Sequence, residues 1–387
     1  MVLSMAKDIL EANRRGGVTD PAVRRSAREF GLVSAVEGTL ADFLAIQIGQ
    51  LDGIDTELGR LARTTRDLVL DGGKRLRPTF AYWGWRGVVG PQEPVDPVLP
   101  ALAAVELMHT FALIHDDVMD DSATRRGRPT AHHIFAAQHR GADRIGDPAT
   151  FGATAAILVG DLCLVWADQL LARASLSTAT LFAVRAGYDR MRVEAIAGQY
   201  LDVLGEAQPD AWSVERALLV ARHKTASYTV QRPLQFGMTL AGPDSTARLE
   251  VDDAYRRYGT AVGEAFQLRD DLLGVYGDPA VTGKPAGDDL RTGKPTTLAM
   301  LARRFATPAQ RAELTKRPAG GSAGPNHEVD VTRLARVIAE TGAKSRVETL
   351  IQQRVAEGIA AIRDVRIHDD ARAALIDLAV TATHRTA

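Results

Sequence analysis

The chain has 387 residues, of which 45% are hydrophobic and 25% are charged, and its formal net charge is −1. This balance is typical of a globular protein and excludes the strong basic excess of a nucleic-acid-binding protein. The single cysteine, Cys163, excludes an internal disulfide framework and fits a reducing, cytoplasmic location. The most apolar window, residues 149–171, contains Asp161 and Asp168, so it predicts a buried helix and no membrane span.

Apolar residues recur at three- and four-residue steps along most of the chain, and this spacing predicts helices. Residues 1–37 are weakly patterned, so we predict an N-terminal extension there and a single domain over residues 38–387. One helix is predicted from Thr39 to Leu70. Further helices are predicted at roughly 78–88, 98–119, 150–172, 178–204, 213–240, 249–274, 296–305, 332–360 and 369–383. We predict an all-α protein with a flexible loop near residues 318–330.

One segment, LIHDDVMDDSATRRGRPT from Leu113, places aspartates directly before arginines. Three of its acids crowd one side of the predicted helix: Asp116, Asp117 and Asp120. Such crowding destabilises a helix without a cation, and clustered carboxylates suit a hard cation such as Mg²⁺. Three arginines follow, and their planar guanidinium groups suit phosphate: Arg125, Arg126 and Arg128. The segment therefore indicates a diphosphate substrate bound through metal.

A second acid pair, Asp270 and Asp271, follows an apolar helical stretch and precedes Lys284 and Lys294. Two acid clusters that face each other could hold several cations around one diphosphate. Those cations would stabilise the negative charge of a departing diphosphate.

The segment GGKRLRP, residues 72–78, places Lys74, Arg75 and Arg77 at a predicted helix start. Backbone N–H groups at a helix start favour an anion, so a second phosphate site is one interpretation and a solvated basic loop is the other. His109 lies two turns before Asp116 and is either a phosphate donor or a partly buried structural histidine.

Other polar residues leave alternatives open. Asp202 and Lys224 interrupt apolar helices, which favours a wet cavity or an ion pair. His115 beside the first acid pair suggests a metal phosphohydrolase as a weaker alternative. Such an enzyme would need further histidines on helices, and the remaining candidates fall in a predicted loop: His132, His133 and His139.

Taken in order, these motifs resemble the trans-isoprenyl diphosphate synthases of the polyprenyl synthetase family, and most closely a bacterial geranylgeranyl diphosphate synthase. The resemblance covers most of the chain from about Leu68 to Lys294. It implies the isoprenoid synthase fold, a bundle of about ten or more helices around a central active-site cavity. It also implies a homodimer and a prenyltransferase that condenses isopentenyl diphosphate with dimethylallyl, geranyl or farnesyl diphosphate. A class I terpene cyclase and a regulatory synthase subunit are the alternatives.

The resemblance also implies roles for single residues. Catalysis and about three Mg²⁺ ions would involve the acids and one lysine: Asp116, Asp117, Asp120, Asp270, Asp271 and Lys224. Asp116, Asp120 and Asp270 would ligate the metal directly, with Asp117 and Asp271 in support. The allylic diphosphate would contact Arg125, Lys224, Lys284 and Lys294, and isopentenyl diphosphate would contact Lys74, Arg77, His109 and Arg126. Thr225 and Gln267 would line the reacting centre, and Asp202 would order water.

Product length in this family depends on residues just before the first acid motif. Phe111 and Ala112, without an insertion in the motif, resemble synthases that stop at a C20 product, and Met108 is a rival floor residue. A farnesyl or longer product and plain core packing of Phe111 are the alternatives. The sequence departs from the family at Gly274, where a third aspartate is usual, and we expect altered metal or substrate affinity from this change.

Overall fold

A computed structural model describes residues 21–242, 247–278, 287–315 and 330–383. These residues are helical almost throughout, which confirms the predicted all-α class. The α-helices are α1 Pro21–Asp52, α2 Thr56–Leu70, α3 Leu76–Val89, α4 Leu99–Met119, α5 Ala131–Gly141, α6 Pro148–Leu171, α7 Thr178–Ala207, α8 Val214–Val220, α9 Arg232–Leu240, α10 Ala247–Tyr276, α11 Asp288–Thr292, α12 Thr297–Phe305, α13 Pro308–Leu314, α14 Val331–Glu340, α15 Ala343–Ala361 and α16 Asp369–Thr383.

Three other kinds of element complete the described chain. A π-helical segment, Ala221–Gln231, joins α8 to α9 without a break. Short 3-10 turns lie at Asp96–Val98 and Pro209–Ala211. Two strands, β1 Thr124–Arg125 and β2 Arg128–Pro129, pair as a small antiparallel hairpin directly after α4.

Helix α4 is the central element of the core. It is apolar on all sides over its first two turns, and Leu102, Leu107 and Met108 are fully buried. A helix with apolar residues all round is stable only when neighbouring helices enclose it. Helices α1, α3 and α6 pack around α4. The acid motif lies on the last turn of this enclosed helix, so the core fixes its position.

Helix α10 positions the second acid motif. Its buried face carries Tyr255, Tyr258 and Leu268, and α15 and the π-helical segment pack against it. The hydroxyl of Tyr258 donates to the carbonyl of Leu375 on α16 at 2.6 Å, which satisfies the buried polar end of this side chain. Helix α10 is therefore also held on several sides.

Three helical segments are long and apolar enough to cross a membrane by length and composition alone: Gly31–Asp52, Asp96–Met119 and Pro148–Leu171. The protein buries 72% of the apolar window in Asp96–Met119 but only 39% of the window in Pro148–Leu171. The absence of a membrane span stays a prediction. Helix α6 consequently presents apolar side chains on the surface.

The single helix predicted from Thr39 to Leu70 is wrong in two respects. It is broken after Asp52, because the Asp55 side chain caps a new helix by accepting from the Glu57 backbone N–H at 2.7 Å. The first of the two helices also begins by Pro21, so the predicted boundary after residue 37 falls within α1. Leu32 and Val36 are buried in the core. The division into extension and domain stays a prediction, and residues 1–20 lie outside the described residues.

Two other expectations about secondary structure are also wrong. The loop expected around His132, His133 and His139 is helix α5. The helix expected over 332–360 is divided into α14 and α15 at Gly342, whose φ of 77° belongs to the left-handed region that ends helices. The flexible loop expected near 318–330 lies outside the described residues except for Asp330, which caps α14.

A buried ion pair joins the start of α3 to the middle of α4. The Arg75 guanidinium donates to Glu106 at 2.7 Å, and their side chains are only 2% and 4% exposed. Arg75 also contacts Glu37 on α1 at 3.2 Å and the carbonyl of Val69 at 3.1 Å. The pair therefore anchors the basic GGKRLRP segment to the core.

We predict that Glu106→Ala destabilises the protein by about 3 kcal/mol, because it leaves the Arg75 charge buried without its main partner. Urea denaturation followed by circular dichroism measures this loss. The control is Glu57→Ala, which removes solvent-exposed pairs with Arg60 and Arg144 and should cost less than about 1 kcal/mol. Equal losses in the two variants would contradict the prediction.

Candidate active site

The first acid motif forms the last turn of α4, and its members have different surroundings. Asp117 is buried and accepts three bonds from Arg125, at 2.8 and 2.9 Å from Nε and 2.5 Å from Nη2. Asp116 accepts from Gln199 Nε2 at 2.9 Å and from Lys224 Nζ at 3.0 Å. Asp117 therefore orients Arg125, while Asp116 faces the helices across the cavity.

Two lysines connect the acids of α4 with the acids of α7. Asp202 accepts from Lys224 at 2.5 Å and from Lys294 at 2.9 Å. Lys294 also lies 3.5 Å from Asp120 and 3.4 Å from Glu206. Burial acts to lower the pKa of Lys294, but the carboxylates of Asp202 and Asp120 outweigh it and raise that pKa. Both lysines therefore carry their positive charge into the cavity.

The pKa values of Asp116 and Asp120 are shifted in opposite directions. Burial acts to raise the pKa of Asp116, but Lys224 and Lys294 outweigh it and hold that pKa below its usual range. Burial and the neighbouring Asp116 raise the pKa of Asp120 instead. All the acceptors here are carboxylate oxygens, so the donor set fits a hard divalent cation such as Mg²⁺.

The second acid motif lies on α10. Asp271 is buried and accepts from Gln267 Nε2 at 2.9 Å and from the Thr297 backbone N–H at 3.1 Å. Burial raises the pKa of Asp271 to about 7, Gln267 opposes this shift, and Asp289 and Asp270 add to it. Asp270 beside it is only half-buried. Asp271 therefore has the surroundings of a supporting acid.

A short segment brings the two acid motifs together. Lys294 reaches Asp120 and Asp202, and three residues later the backbone N–H of Thr297 binds Asp271. This connection between α11 and α12 touches both motifs, so residues far apart in the sequence lie close to one another here.

Glycine at position 274 makes room for another acid. A Cβ atom placed on Gly274 would lie 2.4 Å from Asp289 Oδ2, which is too close for any real contact. The backbone N–H of Gly287 also donates to the Gly274 carbonyl at 2.9 Å, which fixes the approach of α11 to α10. The Asp289 carboxylate therefore lies where the side chain of a larger residue would begin.

A second group of basic residues surrounds His109 on α4. His109 Nδ1 lies 2.6 Å from the Tyr228 hydroxyl, and the Arg77 guanidinium stacks over the Tyr228 ring at 4.1 Å. Arg77 also donates to Thr229 Oγ1 at 2.8 Å, and its buried Nε has no partner in the described structure. Burial lowers the pKa of His109 well below its usual range, with further lowering, in order, from Arg77, Arg126, Arg125 and Arg75. The pocket is thus strongly positive and suits an anion.

Arg126 belongs to the same pocket. Its Nη1 donates to the carbonyls of Gly72 at 2.8 Å and Asp71 at 3.2 Å, next to Gly73. Lys74 lies exposed on the same loop. The loop of GGKRLRP and the hairpin after α4 therefore meet at one edge of the cavity.

Most residues predicted for the site lie in this region. The structure brings the first acid motif together with Arg125, Lys224 and Lys294, and it groups Arg77, His109 and Arg126. Lys284 lies outside the described residues. His115 turns away, because its Nε2 contacts the carbonyl of Ile157 on α6 at 3.0 Å.

The residues considered for product length line the middle of α4. Met108 is fully buried, Phe111 is 8% exposed, and the Phe111 ring packs edge-on against His115 with centroids 4.8 Å apart. Ala112 is half-buried against the core. Their effect on product length stays a prediction.

Sequence reasoning missed several neighbours of the site: Gln199, Glu206, Tyr228, Thr229 and Asp289. Gln199 precedes Asp202 by three residues, about one helical turn, so its position relative to that acid was a signal for it. The others show no such signal, because a lone polar residue in a helix is common. Their roles appear only when distant helices are packed.

The chain is also similar to known proteins. Residues 59–331 match the model of the family described as polyprenyl synthetase. A geranylgeranyl diphosphate synthase of Mycobacterium tuberculosis is 34% identical over 76% of this chain and 75% of its own length. A geranylfarnesyl diphosphate synthase of Aeropyrum pernix is 33% identical over 75% of this chain and 83% of its own.

A solved structure is also similar. It is a geranylgeranyl pyrophosphate synthase from Corynebacterium glutamicum, complexed with isoprenyl diphosphate and magnesium. It is 41% identical with a TM-score of 0.84, and the match covers 92% of this chain and 98% of that one. The shared fold and the family match lead to one conclusion: the chain belongs to the polyprenyl synthetase family.

Proposed function

We propose that the protein is a chain-elongating trans-prenyltransferase that condenses isopentenyl diphosphate with an allylic diphosphate and releases diphosphate. The observation that carries the proposal is that cationic side chains form two separate clusters next to the first acid motif. Lys224, Lys294 and Arg125 lie among the carboxylates, and Arg77 and Arg126 surround His109. A terpene cyclase binds one diphosphate, so two pockets favour the condensation of two diphosphates.

Metal binding is assigned to the acids. Asp116, Asp120 and Asp270 would hold about three Mg²⁺ ions. Asp117 and Asp271 would have a supporting role, because both are buried and already accept hydrogen bonds from protein groups. Bound Mg²⁺ would supply Lewis-acid stabilisation of the leaving diphosphate. The oxygen donor set supports this assignment.

The side chains would act on the two substrates in different ways. Arg125, Lys224 and Lys294, together with Lys284, would bind the allylic diphosphate where negative charge develops as the C–O bond breaks. Lys74, Arg77, His109 and Arg126 would hold isopentenyl diphosphate with its double bond towards the allylic carbon, and Thr225 and Gln267 would line the reacting centre. The new C–C bond forms, and the departed diphosphate accepts the proton that is lost. Water must be kept from the allylic carbocation that forms when the C–O bond breaks, because water would convert it to an alcohol.

A C20 product, geranylgeranyl diphosphate, is proposed as the main product. Phe111 lies about one and a half turns before Asp116 on α4, and Met108 lies one turn further back. The ring of Phe111 packs edge-on against His115, and this contact would hold the ring in place beside a growing chain.

The proposed activity is tested by supplying isopentenyl diphosphate, Mg²⁺ and each of the three allylic primers. We predict elongation by C5 units and at least about 100-fold lower kcat for Asp116→Asn, because the variant loses a charge that the metal and Lys224 require. Asp253→Asn, which changes an exposed acid paired with Arg256, is the control and should keep full activity. Absence of elongation with every primer would refute the proposed function.

The proposed product length predicts that Phe111→Ala lengthens the product beyond C20, because removal of the ring opens space beside α4. Met108→Ala tests the rival floor residue. Chromatography of the dephosphorylated products measures the chain lengths. Phe182→Ala, at an 81% exposed position on α7, should leave the distribution unchanged. If Phe111→Ala leaves the distribution unchanged as well, Phe111 is not the limit.

Asp289 is proposed to complete the second acid motif in place of a third aspartate on α10. We predict that Gly274→Ala and Asp289→Asn both raise the Mg²⁺ concentration needed for half-maximal rate several-fold. The alanine Cβ would displace the Asp289 carboxylate, and the asparagine would remove its charge. Gly49→Ala, at an exposed helix position with open space around it, is the matched control. An unchanged Mg²⁺ requirement in both variants would exclude this role.

A homodimer is proposed because α6 and α7 each expose apolar side chains. Leu158 and Val165 on α6 are 54% and 52% exposed, and Val193 and Ile196 on α7 are 66% and 53% exposed. Exposed apolar surface of this kind is typical of protein interfaces.

We predict that the double variant Leu158→Glu/Ile196→Glu is monomeric, because burial of two new charges costs more than the interface gains. Light scattering coupled to size exclusion measures the mass. Leu249→Glu, at a 73% exposed position on α10, should remain dimeric. A wild-type protein that runs as a monomer would contradict the proposal.

A further inference from the structure

A group of three possible metal ligands lies beside the first acid motif but outside the proposed diphosphate site. One ligand atom from each of Asp121, His132 and His133 lies within 4.8 Å of the other two. Asp121 follows Asp120 at the end of α4, and both histidines lie on the first turn of α5. The group therefore joins two elements.

The hydrogen bonds around His132 determine which nitrogen is available. The Thr130 hydroxyl has one hydrogen and donates it to the Ser122 carbonyl at 2.7 Å. The contact of 3.3 Å between this hydroxyl and His132 Nδ1 then requires Nδ1 to be the donor. In the neutral ring Nε2 therefore bears the lone pair. Histidine ligands of metals are commonly fixed in this way, by a hydrogen bond from their other nitrogen.

The free nitrogen of His132 faces another acceptor. His132 is buried, with 9% of its surface exposed, and its Nε2 has no hydrogen-bond partner in the described structure. The nearest charged atom is Asp121 Oδ1 at 3.8 Å, which is too long for a hydrogen bond. A lone pair and a carboxylate that face each other across this distance repel, unless a cation lies between them.

A third possible ligand lies next to this pair. The ring of His133 lies beside that of His132, with centroids 4.5 Å apart, so it can supply the third ligand. Two imidazole nitrogens and one carboxylate oxygen form a donor set that suits borderline transition metals better than Mg²⁺.

We propose that Asp121, His132 and His133 form a binding site for a divalent transition metal such as Zn²⁺, separate from the Mg²⁺ and diphosphate site. Three protein ligands leave a further position for water. The ligands need only small movements, because Asp121 is 96% exposed and free to approach the ring of His132. The ion would tie the residue after the acid motif to the start of α5, on either side of the hairpin that carries Arg125 and Arg126.

Isothermal titration of the full chain with Zn²⁺ tests the site. Excess Mg²⁺ is present to occupy the carboxylate sites, and no substrate is added, so the result does not depend on prenyltransferase activity. We expect one equivalent of Zn²⁺ to bind to the wild type. His133→Ala and Asp121→Asn, which both change exposed side chains, should each bind that equivalent at least about tenfold more weakly.

Two controls separate this site from others. His368→Ala removes an exposed histidine elsewhere and should bind Zn²⁺ as the wild type does. Asp116→Asn changes the diphosphate site and should also keep the Zn²⁺ equivalent. The proposal is overturned if the wild type binds no Zn²⁺, if His133→Ala binds it as tightly as the wild type, or if Asp116→Asn abolishes the binding.

Discussion

The placement of cationic side chains between carboxylates is the interaction on which the site depends. Asp116, Asp120 and Asp202 converge from two helices, and their mutual repulsion in a half-buried cavity would drive the helices apart. Lys224 and Lys294 lie between them and hold the cavity together. The protein thus maintains the charge distribution that a diphosphate and its metal ions require before either binds. Such preorganisation costs no rearrangement during the reaction.

The lysine at position 224 owes its location to an unusual backbone. The segment Ala221–Gln231 is π-helical over its whole length, and it carries Lys224, Tyr228 and Thr229 towards the cavity. Wider helical turns are uncommon and occur mainly at functional sites. The close approach of Gly198 to this segment requires glycine, because a Cβ atom there would lie 2.3 Å from the backbone nitrogen of Lys224. Helix α7 can therefore approach closely enough for Asp202 to meet Lys224.

Sequence patterns predicted the helical class, most helices and the members of both acid motifs, because each of these depends on local spacing. They could not predict the π-helical segment, because its amino-acid sequence is equally compatible with an α-helix. Nor could they predict contacts between residues far apart in the sequence, such as Arg77 with Thr229 or Gly274 with Asp289. The sequence showed a missing aspartate at Gly274, whereas only the packing of α11 against α10 shows the carboxylate that occupies the space.

The hairpin after α4 explains how two adjacent arginines come to lie in different pockets. Arg125 pairs with Arg128 across the hairpin, and the two turn residues, Arg126 and Gly127, have φ values of 53° and 75°. Two successive positive φ values match the tight turn that joins strands through two residues. The turn reverses the chain at Arg126, so Arg125 binds Asp117 while Arg126 reaches the carbonyl of Gly72. A left-handed backbone at a non-glycine residue is costly, and here it separates the two positive pockets.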